Sequence, residues 1–254
     1  GPNGAGKTTL FDICSGFLAP DAGHVRLDGD DITALSAPAR AARGMGRIFQ
    51  DARLFPALTV AEVLAVAFER HIEVRDPLLC MANMSSVRRS EAQVAEGVDE
   101  LLELLHLTRY RDSFVSELST GTRRIVELGC TMAHAPSLLL LDEPSSGLAQ
   151  RETERLGGLL LELQGTTGAT MVLIEHDIPL VSSVADRLVC MHLGGVLCDG
   201  APDDVLADPA VAASYLGESD VAVTRSGVRA AGFGAGLETS SRTPSIGSGP
   251  ERLS

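Results

Sequence analysis

No run of lysine or arginine occurs in this 254-residue chain, and 21 basic residues stand against 34 acidic ones for a net charge of −13. Its bulk field repels nucleic acid and anionic lipid, so nucleic acid is not expected as a partner. No apolar stretch approaches the roughly 20 residues that a bilayer-spanning helix needs. The longest, Leu138 to Leu141, reads as a buried strand. No secretory leader is evident. Cysteine is sparse: Cys14, Cys80, Cys130, Cys190 and Cys198 are odd in number and scattered, with no C-x-x-C and no paired Cys/His spacing. That pattern argues against a disulfide framework or a zinc site and suits small buried thiols in a reducing cytosol. Internal repeats are also missing. What is present is 44% hydrophobic residues, enough for one large domain or a domain with a subdomain.

The chain opens on Gly1-Pro2-Asn3-Gly4-Ala5-Gly6-Lys7-Thr8-Thr9, a complete phosphate-binding P-loop. Its glycines let phosphate oxygens approach successive backbone N–H groups, with the helix N-terminus completing the anion site. From Asn3, Gly4, Ala5 and Gly6 onward the loop is expected to cradle a nucleoside triphosphate. Lys7 is expected on the β and γ phosphates, the Thr8 hydroxyl on Mg²⁺, and Thr9 as a further hydroxyl contact. A P-loop follows a strand, and residue 1 already lies inside the loop. The sequence therefore reads as the C-terminal part of a longer polypeptide whose first strands are missing.

Downstream, the P-loop helix continues over Phe11 to Phe17, and Pro20-Asp21-Ala22-Gly23 turns into a strand at Val25 to Leu27, closed by Asp28-Gly29. Ala34 to Arg43 reads as a short helix, and Arg47 to Gln50 as a strand ending in a polar residue. Thr59 to Glu62 and Ser90 to Gln93 are both expected to be capping boxes that open apolar helices. Val94, Val98, Leu101, Leu102 and Leu105 recur at helical spacing, so residues 51–135 read as mainly helical. Then strands and helices alternate: Leu138 to Leu141, a helix from about Arg151, Met171 to Ile174, and a helix opened by Asp177. Such alternation implies a parallel sheet flanked by helices. A hairpin is expected at Arg187 to Asp199 about Gly194-Gly195, and residues 219–254, without apolar period, read as a disordered tail.

Leu138 to Pro144 is an apolar strand that delivers Asp142 and Glu143 at its C-terminal end, where ligands of parallel sheets collect. In this Walker B pattern Asp142 is placed to hold Mg²⁺, and Glu143 to polarise a water attacking the γ phosphate. Leu118-Ser119-Thr120-Gly121-Thr122, at the start of an amphipathic helix, resembles the signature loop of ATP-binding cassette (ABC) proteins. The usual loop reads Leu-Ser-Gly-Gly-Gln, so Thr120 and Thr122 depart from it. The resemblance implies that Ser119, Thr120, Gly121 and Thr122 meet ATP bound to an opposite subunit, two cassettes enclosing two nucleotides. It also matches Gln50 to the Q-loop, a contact to γ phosphate and Mg²⁺, and His176 to the switch histidine. Ser145 to Ala149 takes the D-loop position, although Ala149 lacks the usual carboxylate. These elements follow family order from residue 1 to about 217.

The implied fold is an α/β P-loop NTPase core with a mainly parallel sheet, residues 1–50 and 136–218, interrupted by a helical subdomain over 51–135. Phe49-Gln50-Asp51, Leu54-Phe55-Pro56, Ile174 to Asp177 and Ala213 to Glu218 resemble the ATPase of branched-chain amino acid importers, including versions fused behind a permease. That implies an ATP- and Mg²⁺-dependent ATPase at the cytoplasmic face of the membrane. Its partners are a second cassette, transmembrane permease subunits and, indirectly, a solute-binding protein. Lipopolysaccharide-type export, a ribosome- or DNA-directed ABC protein and a non-hydrolysing regulatory module remain alternatives.

Overall fold

The computed structural model describes residues 1–49, 54–71 and 84–214. Helix α1, Lys7–Ser15, follows the P-loop directly: Gly6 sits at φ 93°, open to glycine at little cost, and Gly16 ends the helix at φ 83°. Strands β1 (Arg26–Leu27) and β2 (Asp30–Asp31) pair antiparallel around Asp28-Gly29. Helix α2 spans Ala37–Ala41 with Pro38 in its first turn, shorter than the expected Ala34 to Arg43. Strand β3 is Met45–Ile48, two residues upstream of the expected segment, and Gln50 lies outside the described residues.

Thr59 caps helix α3, Val60–Ala67, as expected: its hydroxyl accepts the Glu62 N–H, and a Glu62 carboxylate oxygen accepts the Thr59 N–H at 2.8 Å. The second expected capping box does not form. Helix α4 runs unbroken from Met84 to Leu104, so Ser90 is interior to it. Arg88 and Arg89 propagate a helix well and neither Gly nor Pro lies between Met84 and Ser90, while a mid-helix serine costs only a few tenths of a kcal/mol. Helix α5, Thr120–Met132, leads to β4, Leu138–Asp142; α6, Gln150–Thr167, leads to β5, Thr170–Ile174. Helix α7 (Ile178–Val184) is capped by Asp177, whose carboxylate accepts the Leu180 N–H at 2.8 Å. Strands β6 (Leu188–His192) and β7 (Gly195–Gly200) form the hairpin, turning at Leu193-Gly194, and α8 covers Pro202–Ala207. Gly1–Tyr215 make one compact unit, and the expected tail at 219–254 lies outside the described residues.

The site-bearing sheet is parallel in the order β3-β4-β5, with β4 central. Its leucines serve both faces. Leu139 and Leu141 enter a large core with Val60, Leu64, Val126 and Leu160, whereas Leu140 joins Phe11, Ile32, Met45 and Ile174 on the other side. A central strand buried on both sides reads as a continuous apolar run, which is why Leu138 to Leu141 shows no alternation. Because the three strands are parallel, their C-terminal ends come out on one edge: Phe49 after β3, Asp142 and Glu143 at the end of β4, Glu175 and His176 after β5.

One buried arginine locks the back of this layer. Arg40 is 1% exposed, and its guanidinium donates to the carbonyls of Ile13 and Cys14 at 2.6 Å, Thr33 at 2.8 Å and Leu35 at 3.0 Å. It thereby satisfies the carbonyls at the C-terminus of α1. Arg40→Met should lower stability by about 3 kcal/mol or more in urea denaturation, since buried carbonyls that lose a donor cost about 1 to 3 kcal/mol each. The exposed Arg43→Met should change it by no more than about 0.5 kcal/mol.

Candidate functional site

In the P-loop, Gly4 and Gly6 take φ values of 75° and 93°, and the loop closes on an Ala5 N–H to Pro2 carbonyl bond of 3.3 Å. Such a concave run of backbone N–H groups at a helix N-terminus makes a general anion site. Lys7 folds over the loop, its ammonium donating to the Gly1 carbonyl at 2.7 Å and the Pro2 carbonyl at 2.9 Å. Asn3, Thr8 and Thr9 are exposed beside it. An anion in the cradle thus meets a lysine and hydroxyls from the first turn of α1.

At the end of β4, Asp142 is 5% exposed. Burial pushes its carboxyl above the ordinary aspartate value of 3.8; Arg47 opposes that, Glu143 and Asp12 add to it, and Lys7 opposes it. Next in the chain, Glu143 takes φ 48°, a left-handed conformation that a side-chain-bearing residue seldom holds. Its N–H bonds the Ile174 carbonyl at 2.9 Å, so the strand partner pins the bend. The bend brings a Glu143 carboxylate oxygen to 2.8 Å from His176 Nε2. A carboxylate at a strand end, oriented by an imidazole, is equipped to polarise a water.

Glu175 is a member of this group that the sequence reading passed over. One of its carboxylate oxygens accepts the Ser145 N–H at 2.8 Å and the other the His176 N–H at 3.1 Å, tying the segment after Walker B to the loop bearing His176. Its signal was weak: an acid between an apolar strand and a histidine. Arg47 and Arg124 were also missed. Arg124, in α5, donates to the Phe49 carbonyl at 2.9 Å and to Glu127 at 3.2 Å, linking the signature helix to the residue before Gln50.

The signature segment caps α5. Ser119 Oγ accepts the Thr122 N–H at 3.2 Å and lies 3.0 Å from Thr122 Oγ1. Among the described residues these side-chain bonds stay within the turn and do not reach the P-loop, Glu143 or His176. Gly121 is held close: a Cβ there would lie 2.9 Å from Glu152 Oε1 of α6. The structure thus sets Asp142 within the electrostatic reach of Lys7 and pairs Glu143 with His176, while Ser119 to Thr122 form a separate helix N-terminus.

A P-loop facing a Walker B strand end, with a Glu–His pair beside it, defines a P-loop nucleotide-binding protein. The comparisons narrow this: residues 1–146 match the family model described as ABC transporter, and residues 196–221 match that of the branched-chain amino acid ATP-binding cassette transporter. The chain belongs to the ATP-binding cassette family of ABC transporter ATPases. It is 39% identical over 219 residues to the high-affinity branched-chain amino acid transport ATP-binding protein BraF of Pseudomonas aeruginosa, covering 86% of each chain. To LivG of Escherichia coli K12, a protein of the same description, it is 36% identical over 220 residues, again covering 86% of each. Among solved structures, a nucleotide-free ATP-binding cassette from an ABC transporter superposes with a TM-score of 0.70 at 31% identity, covering 84% of this chain and 85% of that one. The ADP conformation of MJ1267, an ATP-binding cassette of an ABC transporter, gives 0.70 at 30% identity, covering 85% of each.

The raised Asp142 carboxyl has a sign that can be checked. Ionising it in the fold carries a penalty that is absent below pH 3.8 and grows as pH rises through the elevated folded value. Asp142→Asn removes that penalty. Its unfolding midpoint relative to wild type should therefore climb from about pH 4 upward in ligand-free protein, as followed by thermal melts across pH. A difference independent of pH would contradict the burial cost.

Proposed function

We propose that this chain is the ATP-hydrolysing subunit of an importer for branched-chain amino acids or related small solutes. The observation that carries the hydrolytic part is the 2.8 Å Glu143–His176 contact at the end of the central strand, beside the P-loop. The match of residues 196–221 to the branched-chain family model, together with BraF and LivG, supports the solute class. Likeness across the cassette alone is less discriminating, since the sulfate/thiosulfate import protein CysA 2 of Chromobacterium violaceum is 37% identical over 237 residues.

Asn3 to Thr9 receive the phosphates of ATP, with Lys7 turning from the Gly1 and Pro2 carbonyls to the β and γ oxygens. The donor set fits Mg²⁺. Thr8 offers a hydroxyl, Asp142 a buried carboxylate whose surroundings disfavour uncompensated charge, and Gln50 a carbonyl oxygen; hard oxygen ligands are what this cation takes. No group of three or more His, Cys, Asp or Glu suited to a metal occurs among the described residues, in keeping with a site completed by phosphate oxygens and water. When bound, the cation neutralises charge on the β and γ phosphates. Glu143 polarises the attacking water, and His176 orients that carboxylate and reaches the γ phosphate. Ser119, Thr120, Gly121 and Thr122 approach the γ phosphate of the opposite subunit's ATP, which agrees with their bonds staying within their own turn.

The core comprises residues 1–50 and 136–218, and 51–135 the helical subdomain. Between β3 and α3/α5 lies a cavity of about 650 Å³ lined by Pro38, Met45, Phe55, Val66, Cys130 and His134. Its largely apolar lining and the exposure of Phe55 and Val66 suit a helix of a permease subunit, and we infer a protein that works at the cytoplasmic face of the membrane. No described helix is long and apolar enough to cross a membrane itself. A solute-binding protein acts through the permease.

Glu143→Gln should bind ATP within about threefold of wild type yet lose turnover by about 10² or more, as expected for removing a general base. Steady-state hydrolysis and nucleotide titration in the permease-bound protein separate the two, and retained turnover would overturn the assignment. Lys7→Ala should lose the binding itself. Stimulation of ATPase activity by leucine rather than sulfate in the assembled transporter tests the solute class.

A further inference from the structure

Thr8, Asp12 and Ser15 stand at i, i+4 and i+7 and so share one face of α1. Arg47, on the neighbouring strand β3 and paired in register with Leu140, reaches this face. Its side chain is 6% exposed; its Nη1 donates to Ser15 Oγ at 2.7 Å and is ion-paired with Asp12 Oδ1 at 2.7 Å, while Nη2 lies 3.8 Å from Asp142 Oδ2. The guanidinium carbon is 4.6 Å from the Phe49 ring and 5.5 Å from the Phe17 ring, and those rings meet edge to face. Its Nε has no hydrogen-bond partner among the described residues. An apolar side chain would fill this space without an unmet donor, so packing alone does not account for arginine here.

We propose that Arg47 is a positioning residue of the magnesium site. It fixes the P-loop helix, which carries Thr8, relative to the strand end that carries Asp142. The assignment rests on the reading of Thr8 and Asp142 as Mg²⁺ ligands. These two groups sit on different elements, and Mg²⁺ demands near-ideal octahedral geometry at about 2.0 to 2.1 Å. A slip between α1 and β4 is therefore felt in cation affinity before it is felt in the phosphate cradle, whose backbone N–H groups belong to α1 and its loop alone. A guanidinium bridges two carboxylates because its donors diverge in a planar fork; a lysine ammonium is a point charge and holds one at a time. Phe49 and Phe17 pack against the guanidinium.

The test is titration of the full chain with a fluorescent ATP analogue, once in EDTA and once across magnesium concentrations. Arg47→Met should bind the analogue in EDTA within about twofold of wild type, while its half-saturating magnesium concentration rises by about 10- to 100-fold, the usual effect of losing a residue that orients a metal ligand. Arg47→Lys should recover part of the loss. In an Asp142→Asn background, Arg47→Met should add nothing, because the group it positions is gone. If Arg47→Met does not fold in thermal melts, Asp12→Asn combined with Ser15→Ala, which weakens both contacts of the guanidinium to α1, should raise the magnesium requirement in the same direction. Equal losses with and without magnesium, an unchanged magnesium requirement, or additive losses with Asp142→Asn would each overturn the proposal and leave the nucleotide site standing. A wild-type protein that binds the analogue with no magnesium dependence would overturn the ligand assignment and this role together.

Discussion

Leu139 to Leu141 are buried on alternate faces of the central strand, and the chain has to carry Asp142 directly out of that run at 5% exposure. An acid there is costly to ionise, and its charge has to be answered by groups brought from other elements. Lys7 comes from the P-loop, Arg47 from the adjacent strand, and both lower the cost that burial raises. Much of the local architecture follows from this one requirement. The parallel order β3-β4-β5 sets Arg47 one strand away, and α1 lies against the face that Leu140 shares with Phe11. Strain is accepted at the next residue, where Glu143 bends to φ 48° and is pinned by the Ile174 carbonyl so that its carboxylate meets His176.

Local codes were legible in the sequence where a short stretch contains both partners of an interaction. Thr59 and Glu62 cap each other three residues apart, and the structure forms that box. Ser90 and Gln93 carry the same code yet lie inside α4, because a capping code starts a helix only where the chain before it is unable to be helical. Leu138 to Asp142 and the P-loop were likewise readable, each being one continuous segment with one physical role. The ends of β3 and α2 drifted by two or three residues, as element boundaries set by packing rather than by local signals do.

What escaped was long-range polar pairing. Arg40, Arg47 and Arg124 look in sequence like ordinary solvated cations, yet they are 1% exposed for the whole residue, 6% for the side chain and 8% for the whole residue, respectively. Their acceptors lie 26 to 27 residues away for Arg40 with Ile13 and Cys14, 32 for Arg47 with Ser15 and 75 for Arg124 with Phe49. Carbonyl groups carry no side-chain signature, so nothing in the string marks the acceptors of Arg40 and Arg124. Arg47 and Arg124 together tie the P-loop helix, the strand before Gln50 and the signature helix into one polar frame at the sheet edge, while Arg40 holds the far end of the P-loop helix.

That frame bears on how far the departures at Thr122 and Ala149 alter the site. Thr122 returns a hydroxyl to 3.0 Å from Ser119 Oγ, so it supports the capping serine from within the turn. Ala149 removes a carboxylate, but Glu152, one turn into α6, accepts the Ala149 N–H at 3.3 Å and also lies where a Cβ on Gly121 would fall. The negative charge lost from the loop is thus present one helical turn later, against the signature turn itself. A side chain at Gly121 would have to push the Glu152 carboxylate aside. Ala149 and Gly121 are therefore joined through one carboxylate, because Glu152 both accepts the Ala149 N–H and lies against the first turn of α5, where its charge answers the exposed N–H groups of that helix N-terminus.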